Sequence, residues 1–353
     1  MPKRSKPPLL MISNFLKPPR HNENIWHSLA QRLKKNGYHV ITVSARENQV
    51  LRLLDMLWIT FSKRRQYQLA QIDVFSGKAF IFAEACAALL TRLKKPFILT
   101  LHGGRLPEFS MLYPHRVKHL LINAAVVVTP SLFLQNGLAS FRSDIKLIPN
   151  PINLDATIYR RRDHIKPNLI WVRAFHEIYN PILAVQVLNV LKARFPEMNL
   201  TMIGPDKGDG SLEHLLASAE ELQIMDRLRV IQGVPHHEIP SLLDRADIFI
   251  NTSNYDTSPR SLVEAMGNGL CIVTTNVGGI PYLVSDHQEA LLVPPRRIDA
   301  MSDAIQLLLT NYDLAAKLSY QARKKAEKFD WPAILQHWEK LISKVSEGFY
   351  GNI

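Results

Sequence analysis

Cysteine is scarce: Cys86 and Cys271 are the two in 353 residues. That excludes a disulfide framework and a cysteine zinc site. Both lie in apolar stretches, as expected of a chain kept in a reducing cytosol. Long apolar runs are also missing. The longest, Ala79 to Leu90, is broken by Glu84 and falls short of the ~20 residues that span a bilayer. The opening MPKRSKPPLLMISNF is basic and then only briefly apolar, so it reads as a first strand and not as a secretory signal. Negative charge is the third shortage, with 31 Asp+Glu against 43 Lys+Arg and a net charge of +12. The shortage is local. Residues 1–165 carry 25 basic and 9 acidic side chains, a net of +16; residues 166–353 carry 18 and 22, a net of −4. So basic a half suits nucleic acid, anionic lipid or an acidic substrate. Nucleic acid is not expected. No recognition motif accompanies the charge, and clusters such as Arg32, Lys34, Lys35 and Arg92, Lys94, Lys95 sit where helix C-termini favour cations.

What is present is an ordinary globular composition, 46% apolar and 21% charged, long enough for two domains with full cores. Short apolar runs alternate with helical patterns. Strands are expected at Leu9–Asn14, His39–Ser44, Gln71–Phe75, Phe97–His102, Val126–Thr129 and Ile145–Ile148. Helices lie between them, as at Glu23–Lys35, Phe80–Leu93 and Ser131–Ser140. After a Pro-, Asn- and charge-rich stretch at 148–168 the rhythm restarts, with strands at Leu169–Val172, Leu200–Ile203, Leu228–Ile231, Ile248–Asn251, Cys271–Thr274 and Ala290–Val293. Near-continuous apolar strands indicate parallel sheets covered on both faces. The expectation is an α/β chain of two facing, doubly wound Rossmann-like domains, 1–165 and 166–330, with a helix at 331–353 crossing back. Ligands of such sheets bind beyond the strands' C-terminal ends, so polar side chains in the loops there are the candidates for function.

The richest segment is DIFINTSNYDTSPRSLVEAMGNGLCIVTTNVGGIPYLV, 247–284. A strand ends at Asn251 and a polar loop follows. Pro259 fits the first turn of a helix, with Thr257 or Ser258 as its N-cap. The amides and partial positive charge of that helix start suit a phosphate. Glu264 can accept hydrogen bonds from a ribose diol, and Asp256 from another hydroxyl. Gly278-Gly279 permits close backbone approach. Read alone, the same loop is an ordinary capped helix with an exposed glutamate.

The segment resembles the donor-binding signature of the retaining glycosyltransferase family 4, of GT-B fold: two acidic residues separated by seven, EAM-x-x-G, a strand, then GG-x-P-x-x-V. Glu264-Ala265-Met266, Gly269, Gly278-Gly279, Pro281 and Val284 match. The resemblance is strongest over 240–295, fair over 96–150 and weak at the N-terminus. It implies transfer of a sugar from a nucleoside-diphosphate sugar to an acceptor hydroxyl. It further implies that Glu264 holds the nucleotide ribose and Asp256, where the family usually has Glu, lies near the donor sugar. The loop's Ser258-Pro259 replaces the family's aromatic-Gly pair, and the amides of Arg260 or Ser261 would face the phosphates. In LIWVRAFHEIYNP, Arg173 matches the diphosphate-binding arginine; Tyr179 stands where a lysine is usual, and Arg260 is the candidate for the second cation. In PFILTLHGGRLPEF, His102 matches the strand-end histidine that contacts the donor sugar, with Gly103 beside it. Gly233 and Val234 are candidates for reading the base through backbone groups. The first loop, FLKPPRHNEN, lacks the family's Gly-Gly; Lys17, Arg20 and His21 are its candidates for phosphate or an acidic acceptor.

No metal constellation and no resident cofactor is expected. The proposed acceptor is a glycan or a lipid-linked sugar, in keeping with the basic first half. QVLRLLDMLWITFSKRRQYQ, 49–68, reads as an amphipathic basic helix, apolar at Leu53, Met56, Leu57, Trp58 and Phe61 and basic at Arg52, Lys63, Arg64 and Arg65. It is either packed on the core or in peripheral contact with the inner face of an anionic membrane. The alternatives to a transferase are a GT-B-like nucleotide-sugar-binding protein without activity and another GT-B enzyme such as a nucleotide-sugar epimerase.

Overall fold

The structure is a computed structural model that describes residues 6–15 and 25–350. The chain forms two compact units, Met1–Asn150 with Pro332–Ile353, and Pro151–Trp331.

The first unit holds a six-stranded sheet of β1 (Leu9–Ile12), β2 (Val40–Val43), β3 (Leu69–Val74), β4 (Phe97–Leu101), β5 (Val126–Thr129) and β6 (Lys146–Leu147). Their order is β2-β1-β3-β4-β5-β6, every pair parallel. β1, β3 and β4 are buried along their whole length, which is why they read as unbroken apolar runs. One sheet face and the helix Phe80–Arg92 share a core containing Ile72, Val74, Phe80, Cys86 and Leu99. The helix Trp331–Tyr350 packs back on this unit, as expected. Glu339 accepts hydrogen bonds from Lys6 (2.9 Å) and Asn36 (3.2 Å), and Trp338 meets Trp26 edge-on at 6.0 Å.

The second unit repeats the plan with β7 (Asn168–Val172), β8 (Asn199–Ile203), β9 (Leu228–Ile231), β10 (Ile248–Asn251), β11 (Cys271–Thr275) and β12 (Leu291–Val293). The order is β12-β11-β10-β7-β8-β9, again all parallel. The chain winds outward from β7 in one direction through β8 and β9, then returns to the other side of β7 to begin again at β10. The crevice between β7 and β10 is therefore a topological switch point, where the loops at the strand ends diverge and leave room for a ligand.

Two expectations change. The stretch 151–165, assigned from composition to the first domain, packs in the second unit. Arg162 is fully buried there. It donates to the carbonyls of Arg160, Asn268 and Ala246 and lies 3.4 Å from Asp247. A charge-rich segment looked like a linker because its partners lie some 80 residues and more away in sequence. The basic helix also divides differently. It spans Gln49–Ser62, with Asn48 capping it through the amides of Val50 and Leu51. Met56 points inward and Leu53 and Leu57 are half-buried, whereas Trp58 and Phe61 share the outer face with Leu51 and Leu54.

Candidate active site

In the second unit, β7 ends at Val172 and places Arg173 at the switch point. The Arg173 amide donates to the Ile203 carbonyl (3.0 Å). Gly204 lies so close that a Cβ on it would fall 1.6 Å from the Arg173 carbonyl oxygen, so the chain path here demands glycine. The Arg173 guanidinium pairs with Asp256 and lies 4.7 Å over the Tyr179 ring. Burial pulls the Arg173 pKa down, opposed by the charges of Tyr179 and Glu264. Tyr179, which stands where the resembled family usually has a lysine, thus lies beneath Arg173 as an aromatic floor.

The loop after β7 is tied to the loop after β10. The Thr252 hydroxyl donates to the Tyr179 carbonyl (2.8 Å) and accepts from the Trp171 indole (2.9 Å). The Asn254 amide donates to the Ile178 carbonyl (2.8 Å), and its side chain donates to the Glu177 carbonyl (3.1 Å). Asp209 accepts from the Glu177 amide (2.8 Å), and that bond, with Ser211, holds its carboxyl at about 2.

Asp256 is buried, and its backbone is seated on the two glycines after β11. The Gly279 amide donates to the Asp256 carbonyl (2.8 Å). A Cβ on Gly278 would lie 2.1 Å from the Asp256 carbonyl oxygen, and one on Gly279 1.9 Å from that of Thr257. The Gly-Gly pair therefore exists for a protein backbone, the one that presents Asp256.

The helix after this loop runs Arg260–Gly267, with Pro259 itself at the cap position (φ −67°, ψ 107°). The expected caps, Thr257 and Ser258, are not used. Proline's fixed φ allows the extended cap conformation, and the helix starts one or two residues later than the sequence suggested. Two buried polar atoms in this neighbourhood, Arg173 Nε and Ser261 Oγ, have no hydrogen-bond partner among the described residues. Buried polar atoms left so are rare in folded proteins and commonly mark ligand positions.

Glu264 is 13% exposed at its side chain, not the open glutamate of an ordinary capped helix. Its Oε1 is reached by Arg260 Nε at 2.9 Å and by His236 Nε2 at 2.8 Å. Arg260 is thus turned along its own helix toward Glu264. His236 was not anticipated. It lies in the loop after β9, just past Gly233 (φ +68°) and Val234, whose place in that loop was. The glycine marked the loop; nothing in GVPHHE distinguishes His236 from His237, because Glu264 is 28 residues away.

In the first unit, His102 follows β4, its amide donating to the Val74 carbonyl (2.9 Å). The imidazole sits between Trp26 (5.0 Å, edge-on) and Phe75 (5.6 Å), with Nε2 3.4 Å from Asp73 Oδ1. Asp73 is buried and accepts from the Ser13 hydroxyl and from Gln71 Nε2 (2.7 Å), which also reaches Thr100 Oγ1 (3.0 Å). Asp73 is a second residue the sequence reading passed over, since its partners Ser13 and His102 are brought to it only by folding. Gly103 has a packing reason: a Cβ there would lie 2.7 Å from the Ser76 amide nitrogen. Lys17, Arg20 and His21 lie outside the described residues.

The family model described as "Glycosyltransferase Family 4" matches residues 23–156, and that described as "Glycosyl transferases group 1" matches 160–325. The D-inositol 3-phosphate glycosyltransferase of Corynebacterium glutamicum (strain R) is 29% identical over 211 residues, 57% of this chain and 50% of that protein. The phosphatidylinositol N-acetylglucosaminyltransferase gpi3 subunit of Schizosaccharomyces pombe is 23% identical over 164 residues, 46% of this chain and 35% of that protein. The chain thus spans half or less of the length of these relatives. Among solved structures, the sucrose-phosphate synthase of Thermosynechococcus elongatus has a TM-score of 0.78 at 18% identity, covering 96% of this chain and 99% of that one. Anabaena Alr3699/HepE, solved in complex with UDP, has a TM-score of 0.77 at 16% identity, covering 96% and 100%. Both halves match in order, and both sheets take the order of the GT-B fold: the chain belongs to glycosyltransferase family 4.

Proposed function

We propose that this protein transfers a sugar from a nucleoside-diphosphate sugar to an acceptor hydroxyl, with retention of anomeric configuration, in the synthesis of a cell-surface glycan, polysaccharide or glycolipid. The observation that carries the reading is the meeting of Arg173, Asp256 and Glu264 around the β7/β10 switch point. Arg173 and the start of the Arg260–Gly267 helix receive the diphosphate and stabilise its charge as the sugar leaves. Glu264, steadied by Arg260 and His236, takes the ribose hydroxyls. Asp256 faces the donor sugar. His102 is assigned to the same sugar on the family resemblance, and Asp73 orients its ring. Charge neutralisation by arginine and helix dipole makes the proposed reaction independent of added metal and of a resident cofactor. The acceptor is a glycan or lipid-linked sugar.

The deciding experiment is a thermal-shift panel of UDP-, GDP-, ADP- and dTDP-sugars, followed by turnover in EDTA and assignment of the product anomer by NMR. A donor at a hundred times its Kd raises the midpoint by roughly 5–10 °C, and Arg173→Ala removes that shift. Stabilisation by no donor would overturn the reading. A shift with no sugar transfer would establish the alternative, a nucleotide-sugar-binding protein, which the Tyr179 substitution favours.

A further inference from the structure

The helix Gln49–Ser62 is apolar on two faces. Inward it buries Met56 and Thr60, and Asp55 also turns to the body of the unit, accepting a 2.5 Å hydrogen bond from Ser44. Outward it shows Leu51, Leu54, Trp58 and Phe61, spaced three, four and three residues apart, which is one stripe of a helix. These four are 55, 57, 67 and 46% exposed. Alongside runs a groove of about 700 Å³ toward the helix Phe80–Arg92, lined by Leu54, Trp58, Phe61, Ala88 and Leu89 and ended by Arg92. Isolated exposed apolar residues need no explanation, but a contiguous patch of this kind marks an interaction surface.

The rim says what it meets. Lys63, Arg64 and Arg65 follow directly on the stripe, and the Arg64 guanidinium lies 4.3 Å over the Phe61 ring. Arg92 is exposed at the groove's end. No charged side chain stands on the stripe itself, and its one polar group is the Trp58 indole N–H, a ring with an apolar body and a polar edge of the kind enriched at membrane interfaces. Long cationic side chains flanking an apolar ridge are suited to reach lipid phosphates while their stems and the ridge enter the interface. At 14 residues the helix is about 21 Å long. Among the described residues no helix is long and apolar enough to cross a membrane.

We propose that the outer face of Gln49–Ser62, with the adjoining groove, docks the first unit on an anionic bilayer. Trp58 and Phe61 enter the acyl boundary, and Lys63, Arg64, Arg65 and Arg92 take headgroup phosphates. The proposal is separate from the transfer reaction: vesicle binding needs no donor, so a failed donor panel leaves it standing and the reverse also holds.

The test is flotation of the full chain with vesicles of phosphatidylcholine alone and of phosphatidylcholine with phosphatidylglycerol. The protein floats with the mixed vesicles, and high salt, which shortens screening to ~3 Å at 1 M, releases it. Trp58→Ser and Phe61→Ser each weaken partitioning about tenfold, and Trp58→Ser melts within a few degrees of wild type because its side chain is 67% exposed. Lys63→Ser/Arg64→Ser/Arg65→Ser abolishes the preference for the anionic vesicles. Absence of flotation, equal flotation with both compositions, or binding unchanged in the aromatic variants would overturn the proposal. So would self-association that Trp58→Ser abolishes without any vesicle binding, which would assign the face to a second copy of the chain.

Discussion

At the scale of single residues, the candidate donor site is a set of charges each held by another. Glu264 illustrates this. One of its oxygens is shared by Arg260 on the same helix and by His236 from a different loop. If Glu264 takes a ribose, as proposed, it gains by being fixed beforehand, because fewer rotamers are lost when the ligand arrives. His236→Ala is therefore expected to weaken nucleoside-diphosphate binding by about 1–2 kcal/mol, roughly a factor of 5–30. His236→Asn, which keeps a donor, should recover part of it. Isothermal titration of wild type, both variants and Glu264→Gln checks this; a His236→Ala affinity equal to wild type, with Glu264→Gln impaired, would show that the histidine positions nothing. Arg173, Asp256 and Glu264 could be nominated from the sequence because they match positions of the family's motif, with Glu264 inside the helix Arg260–Gly267. His236 and Asp73 could not, because each is defined by a partner that only folding brings near.

At the scale of elements, the glycine pair after β11 is the clearest link between sequence and site. Its two positions leave no room for a Cβ because the carbonyls of Asp256 and Thr257 lie 2.1 and 1.9 Å from where it would stand. Gly279→Ala must push the 252–259 loop outward. The expected cost is about 1–3 kcal/mol of stability, as for overpacking, together with loss of the donor-induced thermal shift. Urea unfolding and the donor panel measure the two effects on the same variant, and an unchanged donor shift would separate the glycine from the site. Strand positions were readable because strands buried on both faces must be apolar along their length. The helix start at Arg260 was misplaced by one or two residues, because a proline can occupy the cap or the first turn and local sequence does not choose. The outer face of Gln49–Ser62 was likewise beyond the sequence: an apolar side chain that fills the core and one that meets solvent are written with the same letters.

At the scale of the whole molecule, the charge asymmetry survives reassignment of the segment 151–165. Through Asn150 the chain carries 22 Lys+Arg and 7 Asp+Glu, and Pro332–Ile353 adds no net charge, so the first unit remains strongly basic. The charges proposed for the donor, by contrast, belong to individual arginines of the second unit. Arg162 shows why the segment packs where it does: a buried guanidinium satisfied by three carbonyls and Asp247 can be met only in the second unit. Arg162→Ala takes the donor from those three carbonyls, while Asp247 keeps Arg160 and the Lys166 amide, and is expected to cost about 3 kcal/mol. A lower urea midpoint with unchanged donor affinity in the surviving folded fraction is the predicted signature; a midpoint equal to wild type would mean the segment is a mere connector.

The linear order of residues was enough to determine two doubly wound parallel sheets and the family, and to nominate the strand-end residues proposed for a diphosphate and a ribose. These are properties of local pattern: period, length of apolar run, and polar side chains where a strand stops. Tertiary structure decided which charges meet, which unit owns the central segment, why the glycines must be glycines, and which face of a helix is left to water. Those depend on contacts between residues far apart in the chain, whose geometry exists only once the backbone has closed around them.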